Sequence, residues 1–345
     1  MKIKLILLLV FPLLLSCSNE DEAYTDIPLK FEIPSNFPPL AYDIDANPPT
    51  QKGFELGKKI FYDGRLSSDG VISCGFCHIQ QHAFTHHGHT LSHGVNNAVG
   101  MRNTPAIQNL AYQSVFMYDG AAEHLDLQPI IPITSAVEMD GNFASIIAMM
   151  KNDANYKKLF GQAFPNSDIN SENMLKALSQ FMLMVTSSNS RFDKFRRNEP
   201  GGILSSDERS GYAIFNNKCA SCHATDLFSD QSFRNNGLPV NPAVNDKGRF
   251  LVTGNANDLY KFRVPSLRNV EKTAPYMHDG RFGTLESVLN HYASGISASA
   301  TLDKELQQNG GLGITLSATE KTQIIAFLKT LTDEQYLTDS RFSEF

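Results

Sequence analysis

Alternating polar and apolar stretches are scarce in this chain of 345 residues, tryptophan is absent, and cysteine occurs only five times. The scarcity of alternation argues against a sheet-rich fold, because a half-buried strand needs a period of two. The net charge is −6 and basic clusters are missing, which makes nucleic acid a poor partner and points to neutral or basic ones. A membrane span is also missing: the apolar run at the start, Leu5 to Leu15, is too short to cross a bilayer. What the few cysteines do is therefore informative. Four of the five stand in two copies of one pattern, "CGFCH" at 74–78 and "CASCH" at 219–223.

The beginning of the chain explains the fifth. Lys2 and Lys4 precede the apolar run, and Ser16 and Cys17 follow it, which is the layout of an export signal. Leu14-Leu15-Ser16-Cys17 resembles the bacterial lipobox, so residues 1–16 are expected to be a signal peptide and Cys17 the lipidated first residue of an exported, periplasmic protein held on the outer or inner membrane only by that anchor. Removing residues 1–16 takes away two lysines and no acid, so −6 becomes −8. Residues 17–50 hold Pro28, Pro34, Pro38, Pro39, Pro48 and Pro49; they read as a tether and an extended arm laid on the body.

The remainder, 51–345, suits two domains, and internal repeats divide it. "GKKIF" at 57–61 and "GYAIF" at 211–215 each precede a C-x-x-C-H, on segments whose apolar positions recur at helical spacing (Phe54, Gly57, Ile60, Phe61). Downstream, Pro105, Asn109, Met117, Asp119, Gly120 and Leu125 are repeated as Pro265, Asn269, Met277, Asp279, Gly280 and Leu285 at a constant offset of 160. Residues 172–186 are apolar nearly all round and predict a buried helix. Ser317 to Glu320 is a capping box opening a helix with Ile324, Ile325, Leu328 and Leu331 on one face. The expectation is an all-α chain with domains at 51–200 and 201–345, joined near "NEPGG".

In C-x-x-C-H, cysteines at i and i+3 with a histidine at i+4 share one helix face, so two thiols can bond a porphyrin while the imidazole meets its iron. Zinc would need four converging ligands, yet the pairs lie in separate repeats. A redox dithiol would need an α/β setting that is missing. Two covalent c-type haems are expected, held by Cys74, Cys77, Cys219 and Cys222, with His78 and His223 as iron ligands. Five histidines follow the first motif. His82, His86, His87 and His89 read as a solvated loop, while His93 precedes a glycine and a structured repeat.

Taken together, "ELGKKIFYDGRLSSDGVISCGFCH", "LSHGVNNAVGMRNTPAIQNLAY", "FMYDGAAEHLDLQPIIPITSAVEM", "FRVPSLRNV" and "TAPYMHDGRFGTLESVLNHY" resemble the bacterial diheme cytochrome c peroxidase family. That family includes the enzyme that matures the quinone cofactor of methylamine dehydrogenase. The resemblance implies two tandem cytochrome c-like domains, the first carrying the peroxide-reactive haem and the second transferring electrons. It implies that His93 is a displaceable distal histidine, Glu138 the catalytic acid/base and Gln128 a polar pocket residue. It further implies a calcium ion between the domains at Asn103, Thr273 and Pro275. Two positions depart from the usual pattern: Tyr118 stands where a tryptophan bridges the haems, and Tyr292 stands where the second haem takes a methionine, as in the quinone-maturing branch. The implied reaction is reduction of hydrogen peroxide to water with electrons from a small periplasmic cytochrome c or cupredoxin. A diheme oxidase of protein side chains and a non-enzymatic electron carrier are the alternatives, and assembly as a homodimer is left open.

Overall fold

The computed structural model describes residues 26–307 and 310–344. The expected signal peptide, Cys17 and the start of the tether lie outside the described residues. In chain order the helices of the first half are α1 (Gln51–Phe61), α2 (Cys74–Cys77), α3 (Ile130–Thr134), α4 (Phe143–Asn152), α5 (Ala154–Ala163) and α6 (Ser171–Met184). Those of the second are α7 (Arg191–Arg196), α8 (Ser206–Lys218), α9 (Phe250–Thr253), α10 (Leu285–Ser294), α11 (Ala318–Lys329) and α12 (Glu334–Thr338). Strand among the described residues is limited to β1 (Phe233–Arg234) paired antiparallel with β2 (Phe262–Arg263), so the chain is all-α as expected.

The two halves repeat one packing device. Thr50 caps α1 by accepting a bond from the Gly53 N–H, and Phe54, Gly57, Ile60 and Phe61 are buried on the face predicted from the spacing. That face crosses α6, which is buried along most of its length. At the crossing, a Cβ on Gly57 would stand 2.0 Å from the Ala177 carbonyl oxygen. In the second half, α8 crosses α11 in the same way, and a Cβ on Gly211 would stand 1.9 Å from the Gln323 carbonyl oxygen. Only glycine lets the backbones approach so closely. The Ser317–Glu320 capping box is present at the start of α11; Ile324, Leu328 and Leu331 are buried, joined by Phe327, which the helical spacing had not singled out.

Two hydrophobic cores result. One gathers Leu56, Ile60, Phe61, Phe84, Leu178 and Phe181; the other gathers Phe192, Phe215, Phe228, Ile324, Phe327 and Leu331. The last residues return to the first core through Tyr336, Leu337 and Phe342, so the C-terminus straps one half to the other. The arm does the same from the other side. Phe37 packs edge-on against Tyr112 at 5.2 Å and beneath the Arg268 guanidinium at 4.8 Å, while Asn36 donates to Asp226 at 2.8 Å.

Between the cores the repeated asparagines meet in a buried network. Asn109 donates to the Ser187 carbonyl at 3.0 Å, and Asn269 donates to the Gln108 side chain at 2.7 Å and the Ser187 hydroxyl at 2.9 Å. Arg268 and Asp193, fully buried, form an ion pair beside them. The asparagines of this network are tolerated because their amides find partners, and the partners come from both halves. No helix among the described residues is long and apolar enough to cross a membrane.

Candidate functional site

The first motif is a single turn. Ser73 caps α2 by accepting a bond from Phe76 N–H at 3.2 Å, and His78 N–H donates to the Cys74 carbonyl at 2.9 Å. His78 itself is the C-cap and leaves the helix. The second motif begins where α8 ends and is built of turns, although His223 N–H still donates to Cys219 O at 3.0 Å. This corrects the expectation of a shared helix face: one hydrogen-bonded turn is enough to hold the three side chains together, and the chain must then bend away to give the imidazole room.

Both imidazoles are oriented alike. His78 Nδ1 lies 2.7 Å from the Phe84 carbonyl oxygen and His223 Nδ1 lies 3.0 Å from the Phe228 carbonyl oxygen. Phe84 and Phe228 both sit in the left-handed region, at φ +57° and +55°, which turns each carbonyl back onto its histidine. A nitrogen that donates to a carbonyl leaves Nε2 with the free lone pair, the state an iron ligand needs. Burial pushes His78 down to about 4 and lowers His223, so both rings are neutral. All four thiols are unpaired; burial pushes Cys74, Cys77 and Cys219 up to about 12 and raises Cys222. Such thiols are poor thiolate nucleophiles, against a redox dithiol, and among the described residues no three His, Cys, Asp or Glu side chains converge on one ion.

Around His223 opens a cavity of about 540 Å³ lined by Cys219, Cys222, Val264, Leu289, Tyr292 and Leu328 among others. Its size and its apolar walls with a few polar groups fit a covalently attached tetrapyrrole. Tyr292, on α10, faces this cavity; burial pushes its phenol up to about 12, while a hydrogen bond with Asn236 opposes the shift. Met277 lines the same cavity, but its sulfur accepts from Asn236 Nδ2 at 3.4 Å. Sequence reasoning overlooked Asn236, which stands in an irregular stretch with no repeat partner to flag it.

The residues expected around the first haem come from three segments. Val95 N–H donates to the Glu138 carbonyl at 2.8 Å, and the Cys77 thiol lies 3.5 Å from the His93 carbonyl. Gly94 permits this approach, since a Cβ there would stand 2.3 Å from the carbonyl oxygens of both Val137 and Glu138. Cys77, His93 and Glu138 are thus neighbours. The Glu138 side chain is half-buried, and burial raises its carboxyl above the ordinary range, with Arg102 pulling the other way. Gln128 donates to the Met117 sulfur at 3.3 Å. The His93 ring packs edge-on against His89 at 4.8 Å.

The expectation of a solvated histidine loop needs correction at one residue. His86 is only 6% exposed, stacks on His89 at 4.0 Å and touches Phe76 edge-on at 5.8 Å. The left-handed turn at Ala83 and Phe84 that serves His78 also carries the following residues inward. His82 stacks on His87 at 3.9 Å, and His87 and His89 are exposed as expected.

Tyr118 lines the second cavity, and its carbonyl accepts from Arg263 N–H at 2.7 Å. Burial pushes its phenol up to about 12, against the opposing charges of Arg263 and Arg102. Asn103, Thr273 and Pro275 line the edge of this cavity as well. Asn103 Nδ2 donates to the carbonyls of His89 at 2.9 Å and Thr90 at 3.2 Å, which leaves its Oδ1 as the atom available to a hard cation.

Residues 51–201 match the family model of di-haem cytochrome c peroxidases. The chain is 34% identical to the methylamine utilization protein MauG of Methylophilus methylotrophus over 309 residues, 88% of each chain. It is 32% identical to the cytochrome c551 peroxidase of Nitrosomonas europaea, over 81% of this chain and 80% of that one. Among solved structures it superposes on a MauG-like protein associated with microbial copper homeostasis with a TM-score of 0.81 and 34% identity, covering 92% of this chain and 99% of the other.

Proposed function

The chain belongs to the di-haem cytochrome c peroxidase family, an oxidoreductase with two cytochrome c-like domains and two c-type haems, and from that premise we propose that it reduces hydrogen peroxide at the first haem. The electrons would come from a small periplasmic redox protein, a cytochrome c or a cupredoxin, and the second haem, held by Cys219, Cys222 and His223, would supply the centre that takes them up. One peroxide takes two electrons and two protons and leaves as two waters. When bound, the haems supply the one-electron centres. The protein's own residues supply the proton handling.

The observation that carries this reading is Glu138. Its half-buried carboxyl acts on the Cys77 thiol, its backbone meets the segment that carries His93, and burial raises it above its ordinary value, the direction a proton shuttle needs. It can accept the proton of the near peroxide oxygen and deliver it to the departing one. Gln128 orients the bound peroxide through its amide, His93 gives way on the same side, Tyr118 relays electrons between the halves, and a calcium ion at Asn103, Thr273 and Pro275 fixes the halves at their junction. Replacing Glu138 with Gln keeps the shape and removes the acceptor, so peroxide turnover is expected to fall by about 10²–10⁴. Turnover within twofold of wild type would sink the mechanism.

A second reading, oxidation of protein side chains, is favoured by Tyr292. A phenolate on the second haem would hold its iron ferric, whereas a thioether favours the ferrous state. Asn236 holds both side chains at the cavity, donating to the Met277 sulfur and hydrogen-bonding the Tyr292 phenol. In the ferric near-infrared spectrum a methionine-to-iron charge-transfer band is expected to be absent. Such a band, surviving in Tyr292→Phe, would remove tyrosine ligation and return the weight to the cytochrome-driven peroxidase. Lipid anchoring at Cys17 belongs to the same proposal and predicts that Cys17→Ala releases the protein from membranes.

A further inference from the structure

The cavity around His223 is lined by three permanently cationic side chains, and two of them are spoken for. Lys218 is paired with Glu320 and also reaches the Thr315 carbonyl. Arg234, on β1, lies 2.6 Å from Asp230 and 3.2 Å from Asp303. Arg263, on the neighbouring strand β2, differs. Its backbone N–H donates to Tyr118 O, its Nε lies 3.4 Å from the Met117 carbonyl, and among the described residues no carboxylate stands within ion-pair distance of its guanidinium. A cation walled in by protein without a counter-ion costs several kcal/mol, so a fold that retains one has an anion to set against it.

We infer that Arg263 is the counter-charge for a propionate of the second haem. The argument is by elimination among the cavity's cations and rests on the two haems of the family, not on what the enzyme does with peroxide. The forked guanidinium suits a carboxylate bidentately, and its neighbours on β1 and in the 117–118 turn fix its backbone. Burial also depresses the Arg263 guanidinium, to about 10, as it does for any cation left without a carboxylate. Because the same residue bonds the Tyr118 carbonyl, it ties the second cofactor to the segment that joins the two sites.

A positive charge beside the haem favours the reduced iron, so removing it lowers the midpoint potential. Spectroelectrochemical titration of the full two-haem protein tests this, with the second haem's transition assigned by its absence from the Cys219→Ala, Cys222→Ala protein. Arg263→Gln is expected to shift the reduced-to-oxidised ratio of the second haem at fixed poise at least tenfold towards oxidised, 59 mV for one electron, with the first haem's ratio within threefold of wild type. Both haems attached and a second-haem ratio shifted by less than tenfold would overturn the inference. If Arg263→Gln loses the second haem, Arg263→Lys decides. It keeps the charge, so the second haem's reduced-to-oxidised ratio at fixed poise stays within tenfold of wild type, while the propionate-bending band in resonance Raman spectra shifts because an ammonium replaces the fork. An unshifted band in Arg263→Lys overturns the inference. Peroxide turnover enters neither outcome, so the proposed function and this assignment can fail separately.

Discussion

Laid on one another at an offset of 160 residues, the two halves agree at some positions and disagree at others, and the two sets do different work. Asn109 and Asn269 sit at φ +56° and +57°, Met117 and Met277 at +69° and +75°, Gly120 and Gly280 at +70° and +66°. The bridges that close the loops repeat too, Phe116 with Ala122 and Tyr276 with Phe282. Identity is kept where the backbone takes an uncommon conformation, because few residues tolerate it. Among the positions that differ are Asn103 against Arg263, Tyr118 against His278 and Gln128 against Val288, all but Gln128 lining the cavity around His223. Glu138 is matched in this register by Ala298, which is exposed. One helical frame has been used twice, and the side chains that differ between its copies are those to which the proposed function gives peroxide chemistry on one side and electron transfer on the other.

The largest test of that comparison removes one cofactor. Cys219→Ala with Cys222→Ala is expected to halve the iron and leave one haem-staining band from the first half; a full iron complement would refute covalent attachment at the second site. The mirror substitution, Cys74→Ala with Cys77→Ala, should also halve the iron, and it should abolish peroxide turnover as well.

A smaller effect tests whether the frame itself is equivalent. Gly57→Ala and Gly211→Ala each force a methyl into a carbonyl about 2 Å away, so each is expected to cost about 1–3 kcal/mol in thermal unfolding. Losses differing by more than about 2 kcal/mol would show that the two helix crossings are not equivalent supports.

The smallest effect sharpens the asymmetry. The folded-state pKa of Glu138 is raised above its unfolded value, so the native state is favoured by protonation, and that advantage is lost as pH rises from the ordinary carboxylate value of about 4.3 through the raised one. The neutral Glu138→Gln should therefore unfold at a higher temperature than wild type at neutral pH, with no difference below pH 4. A stability difference independent of pH would mean that the carboxyl is not desolvated.

Much of this was legible in the sequence because it rests on local chemistry. The cysteine and histidine spacing needs only one turn of backbone, the helical faces of α1 and α11 follow from period, and the repeat is visible as identities in one register. Other features were not legible because contact across the fold makes them. His86 read as solvated until a left-handed turn carried it inward. Phe327 joined the second core only because α8 crosses α11 there. Asn236 meets Tyr292 and Met277 from a segment with no periodicity.

The sequence by itself determined the two C-x-x-C-H motifs and the duplicated helical frame, since motif spacing and helix period are properties of short stretches. Only the tertiary structure decided which charges are satisfied and which carboxyl is desolvated. Arg234 and Arg263 line the same cavity, but one meets Asp230 and Asp303 while the other meets no carboxylate among the described residues; Glu138 is an ordinary glutamate until Gly94 brings its backbone against the His93 segment. The reason is physical: burial and counter-charge depend on what the rest of the chain places within a few ångströms, and that is fixed only when both halves have folded against each other.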